Sequence, residues 1–339
     1  MAKDGAQAQP GVVAITGASS GNGRAAALLF ARQGWRVGLI GRNPDTLEDT
    51  RREIAEAGGT AIAAPADVAD PAGLAAAADA VEAALGPLDV WVNNAAVGIF
   101  GPFLEVPEAE FRRLTEVNYL GTVNGTRVAL ARMTARNSGT IVQVVSAIGF
   151  RGVPLQSAYS GSKWALRGFT EAVRAELAAD RSAVRLSMVF PPSVNTPFFE
   201  HAVSYMPRAV RPPPPMYQPE VIADAVVLAA TTGRREVRVS STTWGIAAAS
   251  ALMPGLMDQV AGRLGTVSQQ SGKPVENDPN LFEPGRTAAA HGRFGGESRG
   301  WSAQMAASKN PVAALLSAGA VLGLGAGLLA AAALTPRRR

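Results

Sequence analysis

Residues Ala14–Phe30 read AITGASSGNGRAAALLF, and this stretch decides the fold. Gly17, Gly21 and Gly23 stand between a short apolar run, VVAIT (12–16), and an Ala/Leu-rich run of helical character. A glycine-rich turn that leaves a buried strand and opens a helix exposes backbone N–H groups at the positive end of the helix dipole, where phosphate is attracted. In the spacing G-x-x-x-G-x-G, Gly17 suits the tight turn, Gly21 the close approach of a pyrophosphate, and Gly23 the packing of helix on sheet. An ordinary strand-to-helix loop often carries one glycine, so three in this arrangement favour a phosphate cradle. The motif alone does not name a reaction.

Outward from this stretch the same alternation repeats. VVAIT (12–16), RVGLI (36–40), TAIAA (60–64), DVWVN (89–93), TIVQVVS (140–146), VRLSMVF (184–190) and EVRVS (236–240) read as buried strands. Helical runs lie between them at 22–33, 45–57, 73–85, 108–136 and 157–179. Strand and helix in alternation predict an α/β fold: a Rossmann-like, doubly wound parallel sheet of about seven strands, with its ligand site beyond the carboxyl ends of the strands. The pattern predicts a flexible N-terminus over 1–10, a single catalytic domain over 11–264, a linker or irregular extension over 265–310, and an apolar helix over 311–335. Residues 312–334 carry no charge and a single Ser. That is long enough to span a bilayer core, and it predicts membrane association. Gly319, Gly323 and Gly327 share one helix face there and would permit close approach of a second helix.

Composition narrows the function. The chain has 339 residues, of which 47% are hydrophobic and 17% charged, enough for a substantial core. It has no cysteine, which removes disulfides, thiol nucleophiles and thiolate metal sites. The two histidines, His201 and His291, form no H-x-x-x-H pair, so no metal site is expected. The net charge of +5 is modest and the basic residues are dispersed apart from Arg337–Arg339, which argues against a nucleic-acid partner. Residues 1–10 lack the apolar core of a signal peptide, and a cytoplasmic catalytic domain is expected.

The chemistry comes from a second cluster, SAYSGSKWALRGF (157–169). Tyr159 and Lys163 are four apart and share a helix face. A free tyrosine, with a pKa of about 10, is a poor base at neutral pH, and a neighbouring ammonium would lower that value. Tyrosine so tuned can exchange a proton while hydride moves at carbon. Ser146 ends the run TIVQVVS and places a hydroxyl at the carboxyl edge of the sheet.

Together these residues resemble the short-chain dehydrogenase/reductase family from about Gly11 to Arg263. The resemblance rests on TGASSGNG (16–23), Asp67 and Val68 after the third strand, NNAA (93–96), Asn118 in VNYLGT, Ser146, and YSGSK (159–163), in that order. It implies that Tyr159 is the general acid/base, that Lys163 binds the nicotinamide ribose and lowers the Tyr159 pKa, and that Ser146 hydrogen-bonds the substrate oxygen. Asn118 is then expected to hold a water connecting Lys163 to solvent. Thr16, Gly17, Ser19, Ser20, Gly21, Asn22, Gly23, Arg42, Asp67, Val68, Asn94, Ala95, Tyr159, Lys163 and Thr196 are the expected cofactor-binding residues. Three departures fall in loops: Asn22 where the family usually has an apolar residue, Ala96 in place of glycine, and Pro192 in FPPSVNT, which stiffens a turn beside Thr196.

An acid at the end of the second strand would bind a ribose 2′-hydroxyl and repel a 2′-phosphate. Gly41, Arg42 and Asn43 stand there instead, and a guanidinium can fork onto phosphate, so NADP(H) is expected over NAD(H). Arg24 is a weaker candidate for the same role. Residues 191–217 are expected to cover the active site. Their Phe198, Phe199, Tyr205, Met206 and Met216 either bind an apolar alcohol or carbonyl substrate or pack the cover onto the core. His201 reads as a surface residue and Pro212–Pro215 as a stiff arm. The resemblance also implies a homo-oligomer through the helices of Asn118 and Tyr159. The competing reading is a membrane-tethered dinucleotide-binding scaffold or sensor without significant turnover, which would have no need of Asn118, Ser146, Tyr159 and Lys163 together. An epimerase or dehydratase is disfavoured, because little chain remains for a separate substrate domain.

Overall fold

In the computed structural model, which describes residues 10–274, 278–286 and 288–310, VVAIT forms strand β1 (Val12–Thr16), and all five residues are buried. Both faces of the strand are covered, which is why the run shows no polar alternation. Val13 and Ile15 join one apolar cluster, and Val12 and Ala14 join another. Each fully buried Val or Ile contributes about 1.5–3 kcal/mol relative to exposure.

The chain then alternates through α1 (Gly21–Arg32), β2 (Arg36–Gly41), α2 (Pro44–Glu56), β3 (Thr60–Pro65), α3 (Pro71–Leu85) and β4 (Val90–Asn93). It continues through α4 (Glu108–Thr115), α5 (Gly121–Met133), β5 (Thr140–Val144), α6 (Ser157–Ala179), β6 (Arg185–Phe190), α7 (Pro219–Thr232) and β7 (Glu236–Arg238). The seven strands pair in parallel in the order β7-β6-β5-β4-β1-β2-β3. Helices α1, α2 and α7 cover one face, and α3, α5 and α6 the other. Prolines at the first turns of α2 and α3 need no donor there, and Asn43 and Asp70 cap those helices through Asp45 N and Ala72 N, both at 3.0 Å. Strand order reverses between β1 and β4, so their carboxyl ends flank the crevice where an open α/β sheet takes its ligand.

Two regions differ from the sequence expectation. The helical run 108–136 is divided by a π-helical turn, Glu116–Leu120, between α4 and α5. The wider turn carries Asn118 inward, where its side chain finds backbone partners. The region 265–310 is packed rather than loose, because Leu281 and Met305 are apolar anchors with 2% and 3% exposure. Ser298–Arg299 adds a parallel strand to Met216–Tyr217, which pairs in turn with Ser193–Val194. Helices α8 (Ser241–Leu252) and α9 (Pro254–Val260) precede this region, and α10 (Ala303–Lys309) ends it against α7 and β7.

The expected N-terminal segment, apart from Pro10, and the apolar segment 311–335 lie outside the described residues. Among the described residues no helix is long and apolar enough to cross a membrane, and no group of His, Asp and Glu could hold a metal ion.

Candidate active site

The glycine turn opens directly from β1. Gly17 has φ +68°, and a Cβ there would lie 2.9 Å from Ala95 Cα, so both conformation and space require glycine. A Cβ on Gly23 would fall 2.1 Å from the Gly17 carbonyl oxygen. That close contact seats α1 on the turn, as the sequence spacing anticipates. Thr16 braces the turn from below: its Oγ1 accepts from the N–H groups of Asn94 (3.0 Å) and Ala95 (3.1 Å). Asn94 Nδ2 returns a bond to the Thr16 carbonyl at 3.0 Å. Thr16 and Gly23 therefore stand behind the wall of the site and shape it.

In front of that wall lies a cavity of about 640 Å³ bordered by Gly17, Ser19, Ser20, Gly21, Asn22, Asn94 and Ala95, with Thr196 opposite Gly21. This volume lies within the usual range of small-molecule and cofactor sites, about 300–1,000 Å³. Asn22 Oδ1 is buried and has no hydrogen-bond partner among the described residues. This is a physical account of a residue that departs from the family pattern: its amide can present oxygen to a ribose hydroxyl or, turned over, N–H to a phosphate. The turn, the start of α1 and this amide all fit a dinucleotide.

The other end of the cavity is built by α6 and the chain after β5. Lys163 is 3% exposed, and its Nζ donates to the Val144 carbonyl at 3.0 Å. It lies 5.5 Å from the centroid of the Tyr159 ring. Burial pushes the Tyr159 phenol above its ordinary range, opposed by its hydrogen bond with Ser146. Burial pushes Lys163 down to about 8. The expected lowering of Tyr159 by its ammonium neighbour is not found: burial raises the phenol, only the Ser146 hydrogen bond opposes it, and the same desolvation disfavours the charged form of Lys163. Asn118 is fully buried, and its amide closes on Val97, accepting from Val97 N (2.8 Å) and donating to Val97 O (2.9 Å). It fixes the loop after β4 rather than lining the cavity.

At the opposite extremity, Asp67 and Val68 border the cavity. Burial would raise the Asp67 carboxyl, but the Ala69 N–H at 2.9 Å and the Arg113 guanidinium hold it low. Arg42 reaches this end as expected, yet its donors are directed elsewhere. Nη1 bonds the carbonyls of Phe282 (2.8 Å) and Leu281 (3.4 Å), and Nη2 those of Glu283 (3.2 Å) and Asn280. Arg24 turns away from the site and binds Glu53 at 2.7 Å, tying α1 to α2.

The cover over the active site divides its apolar residues between two tasks. Phe198 and Phe199 are half-buried and line the cavity, and the Phe198 ring meets Tyr159 edge-on at 5.5 Å. Met206 is buried against Phe100, Tyr205 covers Gly101, and Met216 is buried in its short strand. Pro213, Pro214 and Pro215 complete the wall rather than forming a free arm. His201 is not a surface residue: it is 5% exposed, its burial lowers its pKa, and Gly285 lies against it. Sequence reasoning missed Arg113 and the buried pair Gln156 and Gln269, whose amides bond each other across the cavity wall. It also missed residues 280–285. Each depends on a partner far away in sequence, and no local pattern marks it.

Comparison with known proteins accords with this arrangement. Residues 11–205 match the short chain dehydrogenase family. The chain is 34% identical to the uncharacterized oxidoreductase YxnA of Bacillus subtilis over 321 residues, covering 92% of this chain and 88% of that protein. A short-chain dehydrogenase/reductase from Burkholderia phymatum, solved in complex with NAD, superposes with a TM-score of 0.68 at 25% identity, covering 74% of this chain and 96% of that one. A metagenomic short-chain oxidoreductase solved in complex with NADP gives 0.57 at 34% identity, covering 67% and 96%. A family match over more than half of the sequence, joined by a relative aligned along most of its length, establishes that this chain belongs to the short-chain dehydrogenase/reductase family of oxidoreductases.

Proposed function

We propose that the protein interconverts an alcohol and a ketone or aldehyde by hydride transfer, prefers NADP(H) over NAD(H), and acts on a hydrophobic substrate. The observation that carries this reading is the placement of Tyr159, bonded to Ser146 and beside Lys163, in the same cavity as the glycine turn. A bound dihydronicotinamide would supply hydride to the carbonyl carbon. The turn from Gly17 to Asn22 would hold the pyrophosphate, Lys163 the ribose and Thr196 the carboxamide.

The chain's own residues supply the proton. Because burial keeps Tyr159 protonated at neutral pH, it serves as general acid in the reductive direction: its O–H proton passes to the carbonyl oxygen. Ser146 orients that oxygen and accompanies Tyr159 as the proton leaves. In the oxidative direction the same phenolate oxygen recovers the proton from the alcohol. Phe198 and Phe199 offer apolar surface next to the reacting oxygen and support a lipophilic substrate. The NADP(H) preference is supported by the absence of a carboxylate at the end of β2, where Gly41, Arg42 and Asn43 stand and nothing acidic would repel a 2′-phosphate.

A screen of apolar and polar carbonyl compounds, following NADPH absorbance, tests the proposal. Tyr159→Phe is expected to reduce turnover by at least about 100-fold while leaving NADPH binding intact. Tight NADPH binding with no turnover of any carbonyl would overturn the enzymatic reading and leave the scaffold.

A further inference from the structure

Residues 280–286 and 288–294 run along the dinucleotide cavity, and their anchors lie on both of its banks. On one bank Arg42 binds four successive carbonyls, those of Asn280, Leu281, Phe282 and Glu283, and Asn43 Nδ2 donates to the Gly285 carbonyl at 3.0 Å. Arg113 Nε adds a bond to the Leu281 carbonyl at 3.2 Å, and the Leu281 side chain is buried. On the glycine turn, Gly21 N donates to the Ala289 carbonyl at 2.9 Å. On the far bank Gly292 N donates to the Asn195 carbonyl at 3.2 Å and Phe294 N to Asn195 Oδ1 at 2.9 Å. Pro284 and Gly285 line the cavity, which keeps its volume beside this segment.

We propose that residues 280–286 and 288–294 form a strap that retains the dinucleotide, and that Arg42 is its latch: a positioning residue that holds the strap down rather than a reader of the 2′-phosphate. This rests on the dinucleotide reading above. Three features favour a retaining strap. The cavity stays open under it except at Ala289, whose carbonyl takes the Gly21 N–H, so it walls the site and fills it only at that point. The guanidinium gathers four carbonyls that no single phosphate could replace at once. The strap touches the phosphate turn at Gly21 on its way from Arg42 to Asn195, so a dinucleotide lying between that turn and Tyr159 would sit against it. Pro284 and Gly285 line the cavity, so the strap would contribute to affinity as well as to retention, and by linkage such a strap is held more firmly when the ligand is bound.

NADH decides the matter because it has no 2′-phosphate to lose, so its release reports the strap alone. Stopped-flow displacement of NADH and of NADPH would be measured on the full chain and on Arg42→Ala. Both release rates are expected to rise about tenfold or more, given the usual contribution of hydrogen bonds to a charged group. Arg42→Lys keeps the cation but not the planar fork, and is expected to release NADH as fast as Arg42→Ala. Faster release of NADPH alone, unaltered release of both, or an Arg42→Lys protein indistinguishable from wild type for NADH would each overturn the latch.

Hydrogen exchange on the unsubstituted protein guards against misfolded variants. The amides of Asn280, Gly292 and Phe294 are expected to gain protection when NADPH saturates the site, and no gain or a loss would overturn the strap. If neither dinucleotide binds the wild-type protein, the functional reading fails and the strap falls with it. That result is distinct from tight binding with unchanged NADH release, which sinks the strap alone.

Discussion

At the scale of the residue, the chemistry of the site is a competition between burial and charge. Lys163 has a folded-state pKa of about 8, below its ordinary 10.5. Between those values the unfolded chain binds more protons than the folded one, so stability rises with pH. Tyr159 acts in the opposite sense, but only above its ordinary value of 10.0, where the unfolded phenol loses its proton first. The protein without cofactor is therefore expected to grow more stable from about pH 8 to about pH 10, by up to ~3 kcal/mol for the full Lys163 shift. Urea titrations across that range check this, and Lys163→Met should flatten the profile; an unchanged slope in the variant would assign the effect to another group. Tyr159, Lys163 and the glycines were legible in the sequence because their geometry is local: a helix places residues four apart on one face, and a tight turn needs glycine. His201 was not legible, because its burial depends on Gly285, far along the chain.

At the scale of the element, burial on both faces of the sheet makes the strands readable: all seven begin within one residue of the reading, and β5 and β7 each end two residues early. The π-helical turn was not readable, since its cause is the amide of Asn118 meeting Val97 across a loop. A second polar network lies deeper. Asn93 accepts from Trp91 Nε1 at 2.7 Å and donates to Gln143 Oε1 at 2.9 Å, and Gln143 Nε2 donates to Thr126 at 2.8 Å. It locks β4, β5 and α5 together just below the active-site edge. A Cβ on Gly125 of α5 would lie 2.1 Å from Asn93 Oδ1. Gly125→Ala is therefore expected to cost about 2–4 kcal/mol in denaturant unfolding, from overpacking and from buried polar groups losing partners. A cost below about 0.5 kcal/mol, the level of ordinary surface changes, would show that α5 can step aside.

At the scale of the whole molecule, the family motifs end well before the folded chain does. The described residues continue to Asn310, and their last part closes over a site assembled by the first 200. Composition leaves open whether 265–310 is a linker or an irregular extension; its described residues are an extension of mostly irregular chain, anchored by Leu281 and Met305 and by backbone hydrogen bonds. The apolar residues 312–334 still carry the expectation of a membrane tether. Deleting 311–339 is expected to move the protein from the membrane pellet to the supernatant with turnover retained, and a full-length protein already in the supernatant without detergent would sink the tether. The small sheet of Ser193–Val194, Met216–Tyr217 and Ser298–Arg299 has one more implication. Met216–Tyr217 is its middle strand only while the C-terminal segment is present. A chain ended at residue 264 would turn that strand into an open edge beside the active-site cover, with unpaired backbone groups ready to template another molecule. With the extension in place, the edge of Met216–Tyr217 is covered by the two residues Ser298 and Arg299.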